Sequence, residues 1–145
     1  MSHVADMKLE VKDLHCLKEC VKPLGAELVK ADTYKWFGRH VGDYPLPAGF
    51  TRDDLGKCDY VIRIPGNSQA YEVGVVKRKD GKPGYQLIWD FWQGGYGLEK
   101  VIGKDGGLLK QSYAVMVAKK EMLRKGYRVT SKKDAKGNVL LSFSE

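Results

Sequence analysis

The sequence predicts an α+β fold: an antiparallel sheet with two helices on one face, in a ferredoxin-like layout with extra strands. Three observations predict it. Apolar and polar residues alternate in several short runs, the period of a half-buried strand. Two stretches, from Leu14 to Leu24 and from Leu108 to Lys125, carry apolar residues at helical spacing. Most of the strand-like runs lie between these two helices and follow one another through turn sequences, which favours antiparallel neighbours over helical crossovers. At 145 residues, with 43% hydrophobic and 30% charged content, the chain is expected to form one domain, residues 1–145, with a core that needs neither disulfide nor metal.

The elements follow in order. Met7, Leu9 and Val11 alternate with Lys8, Glu10 and Lys12, which predicts a first strand. Asp13 stands at the N-cap of a helix carrying Leu14, Leu17, Val21 and Leu24; Gly25 closes it, and Pro23 confines it to a short element. Glu27 to Val29 and Tyr34 to Arg39 are the next strand candidates. Val41 to Lys57 contains Pro45, Pro47, Gly42, Gly49 and Gly56, and its irregularity marks it as a candidate binding or mobile loop.

Cys58 to Gln93 reads as a three-stranded meander. Tyr60, Ile62 and Ile64 alternate with Asp59, Val61 and Arg63; Tyr71, Val73 and Val75 alternate with Glu72, Gly74 and Val76. Pro65-Gly66-Asn67-Ser68, Asp80-Gly81 and Pro83-Gly84 supply the turns. The third strand, Tyr85 to Gln93, organises the chain. Tyr85, Leu87, Trp89 and Phe91 point one way, a wholly apolar face; Gln86, Ile88, Asp90 and Trp92 point the other. Asp90 on that second face is expected to meet solvent.

Gly94-Gly95-Tyr96-Gly97 breaks the strand, and Leu98 to Ile102 suits a helical turn. The long helix bears Leu109, Tyr113, Met116 and Leu123 as its stripe, and Gly126 ends it. Tyr127 to Thr130 and Val139 to Phe143 form a final hairpin across Ala135 to Asn138.

Several of these pieces form a recognisable pattern: Met1-Ser2-His3, Asp13-Leu14 opening a helix that ends in Leu24-Gly25, Tyr-x-Leu-x-Trp-Asp over Tyr85 to Asp90 followed by Trp92, Gln-x-Tyr-Ala over Gln111 to Ala114, Gly126-Tyr127, and Gly137 before an apolar strand. Together they resemble the domain of unknown function 1257 family, the conserved reading frame 35 of cyanobacteria and algal plastids, found also in phages. The resemblance implies a small single-domain α+β protein without a cofactor. It carries no biochemical role and no functional residues.

The three cysteines, Cys16, Cys20 and Cys58, cannot all pair within one chain, which suits a reducing compartment. The first residues lack the apolar core of a signal peptide, and no run approaches the ~18 apolar residues of a membrane span. Cytoplasm or a plastid stroma is expected, with no membrane partner. No Cys-x-x-Cys or zinc-finger spacing is present, so no metal is expected. No nucleophile motif accompanies the three histidines. Under an enzymatic reading, Asp90 and Tyr113 are the residues to test. The glycines at 94–97 lack dinucleotide-loop spacing; those at 103–107 precede the long helix, whose first amides suit an anion.

Charge is the most informative feature. The net charge is +7 with a pI near 9.3. Between residues 119 and 136 lie Lys119, Lys120, Arg124, Lys125, Arg128, Lys132, Lys133 and Lys136 against Glu121 and Asp134 alone. Lys77 and Arg78, with Lys79 and Lys82, form a second group. A basic edge of this kind suits the phosphates of RNA or DNA. Trp36, Trp89, Trp92 and Tyr96 are candidates for an aromatic surface or pocket on which bases stack. The sequence thus predicts a non-enzymatic nucleic-acid-binding protein. Its competitor is a protein-binding adaptor or inhibitor, docking through the aromatic strand and the 42–56 loop.

Overall fold

The computed structural model describes residues 1–145. Five strands form one antiparallel sheet: β1 (Val4–Asp6), β2 (Glu27–Lys30), β3 (Tyr60–Arg63), β4 (Val73–Lys77) and β5 (Tyr85–Asp90), in the order β1-β5-β4-β3-β2. Three helices accompany it: α1 (Leu14–Val21), α2 (Leu98–Ile102) and α3 (Gly107–Arg124). Strands β6 (Arg128–Lys133) and β7 (Val139–Ser144) form a separate hairpin. This is the expected α+β class, a ferredoxin-like layout with extra strands.

The period of two in β5 decides the layering. Leu87 and Trp89 join Ile62, Val73 and Val75 on the front face, where Leu17, Cys20 and Val21 of α1, Leu98 and Ile102 of α2, and Leu109 and Tyr113 of α3 cover them. The Asp13 carboxylate caps α1 by accepting from the Cys16 N–H at 2.9 Å. Tyr113 and Ser112 tie α3 to α1. The Tyr113 hydroxyl accepts from the Lys12 and Asp13 N–H groups, both at 3.2 Å, and Ser112 donates to the Cys20 carbonyl at 2.7 Å.

The back face departs from expectation. Val4, Val61, Val76 and Ile88 lie under a second apolar layer made by Tyr34, Phe50 and Leu55, with Trp36 and Leu46 beside them. The irregular stretch from Ala31 to Cys58 therefore lies against the sheet, and its apolar residues are the reason: Phe50 and Leu55 are each 7% exposed. Tyr34 to Arg39 forms no strand. Its backbone bonds are scattered rather than a ladder: Tyr34 N–H donates to Gly56 O, Lys35 N–H to the Glu72 side chain while Lys35 O accepts from Glu72 N–H, Phe37 N–H donates to Asp90, and Arg39 O accepts from the Ser2 hydroxyl. Gly74 in β4 makes room for the Tyr34 ring, since a Cβ there would stand 2.3 Å from Tyr34 Cδ1.

Asp90 is fully buried rather than solvent-facing. Its carboxylate accepts from the backbone N–H groups of His3 at 3.0 Å, Trp92 at 3.1 Å and Phe37 at 3.2 Å. It joins the N-terminal segment, the back-face cover and the end of β5. The first strand is also shifted. Val4–Asp6 pairs with β5, and Val11 bridges Tyr85, with Lys8 between them in the left-handed region at φ 59°. Met7 and Val11 still bury their side chains, so the alternation marked the core correctly while the ladder breaks at Lys8.

After Trp92 the chain makes a left-handed turn. Gln93, Gly94, Gly95 and Tyr96 have φ between 53° and 65°. Such a run is costly for side-chain-bearing residues. Gly95 O accepts from Tyr71 N–H at 2.8 Å, and Tyr96 rests edge-on against Tyr71, ring centroids 5.0 Å apart. Gly97 then leads into α2.

Candidate nucleic-acid interface

Beyond Tyr113, α3 has no buried residue. Its expected stripe ends early: Leu109 is fully buried and Leu123 is 61% exposed. The helix therefore runs past the sheet. Gly126, at φ 88°, stops it in a Schellman arrangement, with Tyr127 N–H donating to Met122 O and Gly126 N–H to Leu123 O, both at 3.0 Å. The β6–β7 hairpin folds back against the helix. Its register pairs Arg128 with Ser144 through to Lys133 with Val139. Val129, Val139 and Leu141 share one face and are half-buried; Arg128, Thr130, Lys132 and Leu140 lie on the other and are exposed. Asp134 shapes the tip by accepting from the Asn138 and Lys136 N–H groups at 2.9 Å, and these bonds hold its carboxyl below the usual value.

Between the hairpin, α3 and the end of α1 lies a groove of about 300 Å³. Leu24, Leu108, Val115, Met116 and Val139 give it an apolar lining, and Lys119 and Lys133 give it charge, with Lys132 at its border and its side chain on the hairpin's other face; no carboxylate lines it. The Lys119 ammonium donates to the Ser131 hydroxyl at 3.2 Å and has no acidic partner. Arg128, Lys132, Lys133 and Lys136 also form no ion pair.

The structure thus separates the predicted basic residues. Lys120 is held by Asp13; together with the Cys16 N–H it lowers that carboxyl from 3.8 to about 2. Arg124 pairs with Glu121 at 2.7 Å, and Lys125 approaches the same carboxylate at 3.7 Å. Arg78 binds Asp80 at 2.6 Å and Glu10 at 3.0 Å on the turn after β4, and Asp80 is the main cause of its raised pKa. Lys77 ends β4, where its N–H donates to Asp59, so this pair belongs to a different part of the molecule.

The aromatic candidates do not converge. Trp89 is 2% exposed and belongs to the front core, because β5 is an interior strand with both neighbours paired and both faces covered. Trp36 packs against the back-face layer, with its ring against Gly56. Tyr96 is 47% exposed beside Tyr71. None of the four lines the groove at the hairpin. The same burial leaves the aromatic strand without a free edge for a protein partner, and places Asp90 and Tyr113 on opposite faces of the sheet.

One cluster escaped the sequence reading. His3 lies against Tyr44, Phe91 and Trp92, with ring centroids 5.0–5.4 Å apart, and its Nε2 is 3.1 Å from Asp43 Oδ2. No spacing signals it, since His3 and Trp92 come from opposite ends of the sheet-forming region. The thiols offer little chemistry. Burial pushes Cys20 and Cys58 up to about 12 and raises Cys16. No group of three or more His, Cys, Asp or Glu side chains comes together in metal-binding geometry. The turn that leads into α3 carries the acidic residue Asp105 and a Gly106 buried against Met7. No helix is long and apolar enough to cross a membrane.

Neither a search of curated proteins nor a search of solved structures finds a match to this chain. A family model described as a protein of unknown function, DUF1257, matches residues 47–141. That stretch runs from the back-face cover through the meander and α3 into β7, well over half of the 145 residues, and the chain accordingly belongs to the DUF1257 family.

Proposed function

We propose that this protein binds single-stranded RNA or DNA through the arm made by the second half of α3 and the β6–β7 hairpin. The observation that carries the reading is the groove: three lysines in it or at its border, no carboxylate and an apolar lining. Phosphates fit Lys119 and Lys133 in the groove and Lys132 at its border by charge, and the apolar lining suits the faces of unstacked bases. Lys136 at the tip and Arg128 on the outer face extend the cationic track. A duplex would present only its backbone to such a groove, so a splayed strand gains more from it.

The test is fluorescence anisotropy with short labelled oligonucleotides across a salt series. If about four phosphates are neutralised, log K falls with log salt at a slope of about −3 for a single strand. Changing Lys132 and Lys133 to Glu removes most of the binding. Absence of binding to any oligonucleotide at low salt refutes the reading, as does an affinity that ignores salt.

A further inference from the structure

We infer that β7 is a self-association edge, and that its partner is β7 of a second copy of the chain. This inference does not rest on nucleic-acid binding. The hairpin is a two-stranded sheet, and neither a strand bridge nor a backbone hydrogen bond from outside the hairpin reaches Val139–Ser144. Asp134 N–H donates to Asn138 O, which makes 134 and 138 a hydrogen-bonded pair. Such pairs alternate along an antiparallel ladder. Lys132/Leu140 and Thr130/Ser142 are therefore bonded pairs, and Val139, Leu141 and Phe143 aim their N–H and C=O groups away from β6.

A two-fold axis through Leu141 satisfies all of these groups. It sets Leu141 opposite Leu141 of the second copy and Val139 opposite its Phe143. All are outward-bonding residues, giving about six new backbone hydrogen bonds. Because the axis stands perpendicular to the sheet, both α3 helices fall on the same side. Phe143, 42% exposed here, gains the second copy's Val139 as its neighbour. Charge selects this edge over the other. Arg128, Lys132 and Lys133 all lie on β6, whereas Val139–Ser144 carries no charge. Pairing β6 with β6 sets cations against cations; pairing β7 with β7 leaves them on the two outer strands. The product is a four-stranded sheet with a basic strand at each border.

Sedimentation velocity across a concentration series tests self-association. Amide hydrogen exchange on the unmodified chain tests its location. Val139, Leu141 and Phe143 should exchange more slowly as protein concentration rises, with Leu140 and Ser142 as internal controls that do not change. Phe143→Lys, at a position 42% exposed, should yield a monomer. High salt should leave the dimer intact or tighten it, the opposite of its effect on oligonucleotide binding. A chain that stays monomeric at every concentration overturns the inference. So does a dimer that survives Phe143→Lys with concentration-independent exchange at the three amides.

Discussion

The body of the molecule and its C-terminal arm handle the same residue types in opposite ways. In the body, both faces of the five-stranded sheet are covered, and even a buried carboxylate, Asp90, has three backbone donors. In the arm, no residue from Ala114 to Glu145 is buried, and Leu123, Leu140 and Phe143 are exposed. Arg78 near the body's edge is bound to two acids, whereas Lys119, Arg128, Lys132, Lys133 and Lys136 have none. Folding free energy is concentrated where water is excluded. Charge that local acids do not neutralise is left available to a partner. On the proposed reading, the body is the scaffold and the arm is the binding surface.

The largest effect that separates the two regions is expected from Asp90→Ala. It strands three partly buried N–H donors and should cost about 3–5 kcal/mol in urea unfolding. A loss under about 1 kcal/mol would show that solvent reaches those donors, and that the back face is open. Next comes a pair within one helix. Leu109→Ala opens a cavity in the front core and should cost about 2–5 kcal/mol, whereas Leu123→Ala should cost under about 0.5 kcal/mol. Equal losses would remove the distinction between the two halves of α3.

Tyr113→Phe is a smaller change. It keeps the ring in place but leaves the Lys12 and Asp13 N–H groups without their acceptor, and should cost about 1–2 kcal/mol. The smallest effect depends on pH. The Asp13 carboxyl sits below its unfolded value, so its pairing with Lys120 and the Cys16 N–H adds stability above pH 3.8 that disappears as pH falls toward 2. The stability difference between the native chain and Asp13→Asn should shrink over that interval. A constant difference would mean that the Asp13 charge contributes nothing to the α1–α3 contact. Added salt should also reduce it, because Lys120 is largely exposed.

These contrasts show what the sequence made legible. Helix α1 was readable from Asp13, Leu17, Val21 and Gly25 because its cap and stripe are local signals. The meander was readable from strict alternation at Tyr60–Arg63 and Tyr85–Asp90. The back-face cover was not. Tyr34, Phe50 and Leu55 follow no period, and whether such residues bury depends on contacts many residues away. Asp90 misled for the same reason: an acid on a strand face reads as solvent-facing unless its donors are known, and these come from residues 3, 37 and 92. In the arm, sequence density located the cations, while only the fold could show which of them Asp13 and Glu121 engage. The family motifs now have structural roles. Trp89 fills the front core, Asp90 anchors the back face, and Tyr113 joins α3 to α1.

The most direct test of the division between scaffold and arm is chemical-shift mapping by NMR, with a short single-stranded oligonucleotide titrated into the labelled protein at low salt. Shifts should appear at Lys119, Ser131, Lys132, Lys133 and Lys136 and be absent around His3, Tyr44 and Trp92. Shifts centred on that aromatic cluster, with the hairpin unmoved, would contradict the account.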